Sequence, residues 1–403
     1  MILARLPEVQ SAKACFKKAF GYSPPRFGRA PGRVELLGGL AWQFGGLAIY
    51  GATHYGVAVA MAPRLDGRVR FVSKEYGGEE TFWLSGVGLP AELPWANPLK
   101  STLAELRRAG VHFSGFEAAF AGSIPFQEAF GRSSAAQLAL ALALREVYPY
   151  RLSETGVGPP PSHHGRQVLP PLAVREKRSL AVRCQRAAAQ SAPRHGSPFD
   201  FIPSLFSREH HVLALDAQSP ASDLLALTGE ILVACDCGVE RDWLDDRLRA
   251  WTLLGSRAAE KLGVSSLRIL DLPALKSSRN KLTDAEYACA YFAVTEARRV
   301  AAAEAALREG DHAAFGQCML LSHEASHEHL RNSLPGLDRL VAKASSHPAC
   351  LGARLTGPGG GGPMIALVRH HELEAFLETL RGERIEKCRE ADPKVVQLGE
   401  GVR

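Results

Sequence analysis

Residues 131–134, Gly-Arg-Ser-Ser, put a guanidinium and two hydroxyls directly ahead of the apolar run "SSAAQLALALALREV". That run predicts a helix over 133–147 with no polar face until its last turn, and such a helix must be buried. Its start offers unpaired N–H groups and the positive end of the helix dipole, so Gly131, Arg132, Ser133 and Ser134 suit a phosphate. A serine N-cap on a core helix is the competing reading. Further on, Gly357-Pro-Gly-Gly-Gly-Gly362 lets the backbone approach a ligand closely and turn its N–H groups inward. No Gly-Lys-Ser/Thr closes it and a strand follows, so it is neither a Walker loop nor a dinucleotide turn. By itself it also fits a plain tight turn. Asp200, in "HGSPFDFIPS", is a lone carboxylate between aromatic residues, either at the surface or positioned for proton transfer. Arg33 follows Pro31 and Gly32 in "RAPGRVELLGGLAWQFGG", which starts like a loop built to hold a charged ligand. The residues after it are almost all apolar.

Interspersed helices and strands must position these stretches. Apolar spacing predicts a helix over 8–20 ended by Gly21. "LAIYGATHYGVAVAMAP", "RVRFVS", "TFWLS", "SGFEAAFAGSIP", "HVLALDA" and "EILVACDCGV" read as strands. The longest helical signal, 283–309, opens with a Thr283/Glu286 capping box and closes at Gly310. Helices near 311–331 and 335–346 precede the glycine loop, and a last helix and the strand "KVVQLG" follow its strand. Regular β-α alternation is absent, which favours an α+β fold. At 403 residues, two domains with separate cores are expected. The Pro- and Gly-dense segment 151–174 is the one linker-like region.

Bulk properties narrow the function classes. The net charge of +6 is mild for this length, and no nucleic-acid motif accompanies the basic cluster at 163–186. That cluster is a solvated face or a phosphate-attracting rim. The eight cysteines are dispersed, which points to a reducing compartment rather than a disulfide frame or zinc site. The opening "MILARLPEVQ" is too short and polar for a secretion signal, and no 18-residue uncharged apolar run marks a membrane span. A cytoplasmic protein acting on small molecules, with neither nucleic acid nor membrane as partner, is the expectation.

Together, "APGRVELLGG", "SIPFQEAFGRSSAA" and "GARLTGPGGGGPMIALV" follow the order and spacing of the three motifs of the GHMP small-molecule kinases. More specifically the chain resembles galactokinases, also in "LAVRCQRAAAQSAPRHGSPFDFIPS" and "SHEASHEHLRNSLPGLDRLVAKA". The resemblance implies a two-domain α+β GHMP kinase fold, with domains at about 1–205 and 206–403 and an active site in the cleft between them. It implies ATP and Mg²⁺ as cofactors and a sugar as substrate. It places Asp200 on the catalytic aspartate and Arg33 on its accompanying arginine. Ser133 falls on the serine near the metal and phosphates, and Gly357, Gly359, Gly360 and Gly361 fall in the loop supporting the site. Phosphoryl transfer needs positioning and charge neutralisation, which these residue types supply.

Departures from the pattern are specific. Galactokinases follow Arg-Val-Asn-Leu-Ile-Gly with Glu-His-x-Asp, whose acidic residues hold sugar hydroxyls; here Gly39, Leu40, Ala41 and Trp42 stand there. Glu35 replaces the family's asparagine, as a substrate-binding carboxylate from a new angle or as a structural one. Gln127 and Ala129 occupy positions of two phosphate-loop glycines, where a Cβ strains or reshapes the loop. Arg132 either binds phosphate in compensation or blocks the pocket. Two readings follow: a sugar kinase whose acceptor has moved away from galactose, and an inactive galactokinase-like ligand sensor or binding module.

Overall fold

The computed structural model describes residues 3–125, 129–153, 156–158, 169–191, 197–219, 222–239, 244–381, 383 and 390–402. Two compact units emerge, each discontinuous in sequence: Met1–Arg33 with Ala52–Ser207 and Glu400–Arg403, and Val34–Gly51 with Arg208–Gly399. The sequence predicts one cut at 205/206. The observed division differs because residues 34–51 pack with the second half, and the C-terminal residues with the first.

The first unit is a sheet with helices on both faces. Its elements are α1 (Pro7–Phe20), β1 (Arg26–Leu37, up to Arg33), β2 (Leu47–Pro63, from Ala52), β3 (Arg68–Ser73), β4 (Glu79–Trp83), α2 (Asn97–Arg108), β5 (Phe116–Gly122), α3 (Arg132–Val147), the hairpin β6 (Arg151–Leu152) and β7 (Val157–Gly158), α4 (Val174–Ser191) and α5 (Ile202–Phe206). β5 pairs parallel with β3 and antiparallel with β2, and β3 pairs antiparallel with β4. Side chains alternate across the sheet. Val59, Met61, Phe71, Phe116 and Phe120 face the core shared with α2, α3 and α4. Ala58, Ala60, Ala119 and Ala121 face Val9, Ala12 and Phe16 of α1. The alanines let that helix lie close.

The second unit holds β8 (His211–Asp216), β9 (Ser222–Ala226), β10 (Glu230–Asp236), α6 (Leu244–Leu262), α7 (Leu272–Ser277), α8 (Asp284–Glu309), α9 (His312–Ala325), α10 (Pro335–Ser345), β11 (Cys350–Leu355), β12 (Pro363–Arg369), α11 (Leu373–Arg381) and β13 (Lys394–Val396). An antiparallel sheet runs β11-β12-β10-β13. Leu47–Tyr50, the start of β2, pairs with β8. The predicted capping box is present on α8, with Gly310 as its left-handed C-cap. Helix α9 gives way to a π-helical turn, Ser326–Leu330, ended by Arg331 at φ 52°.

Two local expectations change. "RAPGRVELL" is strand rather than loop, since residues 26–37 form β1. Pro31 and Gly32 there act at a close backbone approach: a Cβ on Gly32 would lie 2.6 Å from the Phe130 carbonyl oxygen. The linker-like segment falls mostly outside the described residues, including His163, His164 and Arg166 of the basic cluster. Within the cluster's helical part, Arg183 is buried and bonds Ser179, and Lys177 donates to the Leu205 carbonyl. Those two serve packing within the unit.

Candidate functional site

Four of the elements in the first unit bring Arg33, Asp200, Gly131, Arg132, Ser133 and Ser134 to the wall of one cavity of about 460 Å³. That volume lies within the range of small-molecule sites. Asp200 closes a short 3₁₀ turn, Pro198–Asp200, and its neighbours Phe199 and Phe201 are fully buried. With both flanking rings anchored in the core, the carboxylate is held at the cavity and is itself only 8% exposed. Arg33 Nη2 donates to Asp200 Oδ1 at 2.5 Å, and Arg33 Nη1 donates to the Ala129 carbonyl at 2.7 Å. A buried charged pair with such geometry is fixed in orientation rather than roaming at a surface.

The phosphate-suited stretch is built as a helix start. Gly131, at φ 67°, is the N-cap of α3, and no side chain caps it. The serine N-cap reading is therefore replaced by a glycine cap. The first bond inside the helix is Ala135 N–H to the Gly131 carbonyl, at 2.9 Å. The N–H groups of Arg132, Ser133 and Ser134 precede it and have no intrahelical acceptor. A Cβ on Gly131 would sit 3.0 Å from Arg33 Cγ, so the glycine keeps the arginine's path open. Ala129 is not among the residues with positive φ. The loop has been reshaped to suit its Cβ, and its carbonyl now holds Arg33. Gln127 lies outside the described residues. Arg132 turns Nη2 to the Ile124 carbonyl, while its buried Nε has no protein partner.

Sequence reasoning missed the aromatic end of this cavity. Trp95 and Tyr76 stack there with centroids 5.9 Å apart and planes 12° apart. The Trp95 indole Nε1 is buried without a partner. Glu75 adds a second carboxylate to the lining. These residues lie in turns and a short 3₁₀ element, and no periodic signal marks them.

The glycine stretch and Glu35 belong to the second unit. Gly357, Gly359, Gly360, Gly361 and Gly362 all have φ between 73° and 116°, and they join β11 to β12. Any side chain at 359 would collide with the Asn332 carbonyl, 2.3 Å from a built Cβ. Asn332 accepts from Gly360 N–H at 2.6 Å and donates through Nδ2 to the Pro358 carbonyl at 3.0 Å. Sequence gave no sign of that buttress. Glu35 is 2% exposed. Its Oε1 accepts from Gly39 N–H and Arg354 Nη1, and its Oε2 accepts from the Tyr50 hydroxyl. With both oxygens engaged and buried, Glu35 is a structural carboxylate, correcting the expectation that it binds substrate. Leu40, Ala41 and Phe44 are buried against Leu248, Trp251 and Phe292. The apolar substitutions thus fill a core.

Comparison with known proteins agrees with this arrangement. The description "GHMP kinases C terminal" matches residues 303–385, and "Galactokinase galactose-binding signature" matches residues 14–63. Galactokinase from Roseiflexus sp. (strain RS-1) is 28% identical over 371 residues, covering 91% of this chain and 89% of its own. Galactokinase from Homo sapiens is 28% identical over 384 residues, covering 91% of each. The crystal structure of Lactococcus lactis galactokinase complexed with galactose superposes with a TM-score of 0.84 at 21% identity, covering all of both chains. No helix among the described residues is long and apolar enough to cross a membrane.

Proposed function

Because this chain is a galactokinase-like member of the GHMP kinase superfamily, we propose that it transfers a phosphoryl group from ATP to a hydroxyl of a sugar. The observation that carries the reading is the Arg33–Asp200 pair, held at the wall of a cavity that also receives the start of α3. Asp200 orients the acceptor hydroxyl and takes its proton as the oxygen attacks. Arg33 holds that carboxylate in place and offsets the charge that develops on the migrating group. The N–H groups of Arg132, Ser133 and Ser134, with the Arg132 guanidinium, receive the polyphosphate. Trp95 and Tyr76 form an aromatic wall for the base, and the unpartnered Trp95 N–H and Arg132 Nε are donors that a nucleotide would satisfy.

The lining also fits Mg²⁺ carried on the nucleotide. Ser133 supplies a hydroxyl, and Asp200 and Glu75 supply carboxylates, the hard oxygen donors this cation takes alongside phosphates and water. Among the described residues there is no group of three or more His, Cys, Asp or Glu able to hold a metal by themselves. Bound there, Mg²⁺ would neutralise phosphate charge.

The acceptor is a sugar read without the family's Glu-His-x-Asp carboxylates, since Gly39, Leu40, Ala41 and Trp42 replace them. Loss of those hydroxyl partners weakens the basis for selecting galactose. Retention of Arg33 with Asp200 supports an active kinase over a ligand sensor.

Thermal stabilisation by MgATP is the first test. A ligand at about 100 times its Kd stabilises the native state by about 2.7 kcal/mol, so millimolar MgATP should raise Tm by several degrees. ADP release across a panel of sugars follows, with Asp200→Ala as control. No Tm shift, or equal rates in both proteins, would remove this reading.

A further inference from the structure

The guanidinium of Arg354, in β11, is fully buried, yet only its Nη1 has a partner, the Glu35 carboxylate at 2.8 Å. Its Nε and Nη2 are buried donors without acceptors. A buried cation with two unmet N–H groups is costly, and it marks a place where an acceptor belongs. The geometry identifies that place. An ideal Cβ on Gly39 would lie 3.4 Å from Arg354 Nη2 and 3.4 Å from Phe292 Cζ. A side chain at 39 would therefore start against the unsatisfied edge of the guanidinium. Residue 39 is the position where galactokinase sequences carry glutamate and this chain carries glycine, while Glu35 stands where they carry asparagine. The two differences compensate in charge: one carboxylate is lost at 39 and one is gained at 35.

We infer that Glu35 is a positioning residue that has taken over the buried counter-charge of Arg354 from position 39, and that this pair ties the Gly38–Gly39 turn to the glycine loop. The connections support both halves of that statement. Glu35 Oε1 holds Gly39 N–H at 3.0 Å, and Glu296 Oε1 holds Gly38 N–H at 3.0 Å. Both amides belong to residues with positive φ, 110° and 51°, so the turn depends on these two carboxylates. From the other side, Thr356 donates its hydroxyl to the Glu35 carbonyl at 2.8 Å, immediately before Gly357. Arg354 lies two residues earlier on the same strand. The turn and the loop thus share one buried anchor within the second unit. Position 39 is left without a side chain, which removes an acidic group from the sugar signature without leaving Arg354 uncompensated.

The inference rests on the kinase reading only for its consequence on turnover. Its main test is a swap: Glu35→Asn, Gly39→Glu and the double variant, compared by Tm and by hydrogen exchange of peptides covering 38–40 and 356–362. Glu35→Asn should lower Tm and speed exchange in both segments by about tenfold or more. The double variant should regain most of the Tm and the protection in both segments, its recovery limited by the left-handed backbone at 39. A double variant that is soluble where Glu35→Asn is not also supports the relocation. A double variant no better than Glu35→Asn, two variants equally insoluble, or exchange that rises only at 38–40, overturns it. Glu35→Gln, which keeps the shape and removes the charge, supplies the kinetic arm: kcat should fall with KM for MgATP unchanged. If wild type transfers no phosphoryl group, the kinase reading fails, while the exchange and rescue outcomes still decide the relocation.

Discussion

Arg33 engages Asp200 with one terminal nitrogen and a loop carbonyl with the other, and only a planar fork reaches both. Arg33→Lys keeps the charge and loses one of the two anchors. The expected result is a folded protein whose kcat falls by about 10²-fold, on the scale of a misplaced charge-stabilising donor, with smaller effect on KM. Wild-type kcat in that variant would remove Arg33 from the chemistry. Arg132 makes a separate prediction. If its guanidinium meets phosphate, Arg132→Leu should raise KM for MgATP by about tenfold and leave kcat nearly unchanged, as for the loss of one charged hydrogen bond made in both ground and transition states. An unchanged KM would return Arg132 to holding the Ile124 carbonyl. These residues were readable as types and by motif order, because each motif is local. Trp95 and Tyr76 were not, because an aromatic residue in a turn resembles any other until folding stacks the two.

The hairpin between β11 and β12 shows what a glycine stretch achieves beyond flexibility. Gly359 combines a left-handed backbone, φ 82°, with a carbonyl 2.3 Å from where a Cβ would sit. Gly310, the C-cap of α8, is also left-handed at φ 73° but has nothing within 4 Å. Gly359→Ala should therefore cost more than Gly310→Ala, whose cost is of order 1 kcal/mol from backbone strain alone. Urea midpoints with unchanged m values measure the difference, and equal losses would mean that Asn332 yields freely. At this scale the sequence was most informative where the signal is contained in one turn, as with Thr283, Glu286 and Gly310 on α8. It misled at residues 29–37. Pro31 and Gly32 are loop punctuation by type, but they lie in β1 because their backbone passes close to Phe130 and its neighbours, a fact of long-range packing. The same limit hid Asn332, whose role exists only once the π-helical turn delivers it to the glycine loop.

Across the whole molecule, the chain crosses between its compact units within β1, between Arg33 and Val34. Arg33 therefore belongs to the cavity of the first unit, and Glu35 to a buried ionic network of the second. No composition change announces that crossing, so a single boundary near 205 was the natural reading of the sequence. The network makes the second unit the acid-sensitive one. Burial pushes the Glu296 carboxyl up, but Arg299, Arg354 and the Ser322 hydroxyl outweigh it and hold the group below its ordinary value of 4.5. Burial likewise opposes ionisation of Asp338, and the His323 and Ser333 bonds with the His327 charge hold it below 3.8. A carboxyl with a depressed folded pKa contributes stability that is fully present above its unfolded pKa and lost as pH falls through the folded one. Stability should accordingly hold from neutral pH to about 5, then fall increasingly below 4.5 as unfolding takes up protons. Asp338→Asn retains the shape of the side chain and removes one of those protons. Its unfolding free energy, measured by urea titration at pH 7, 5, 4 and 3, should start lower than wild type and decline less steeply below pH 4. Parallel declines in the two proteins would mean that the His323–Asp338–His327 cluster carries none of the acid dependence.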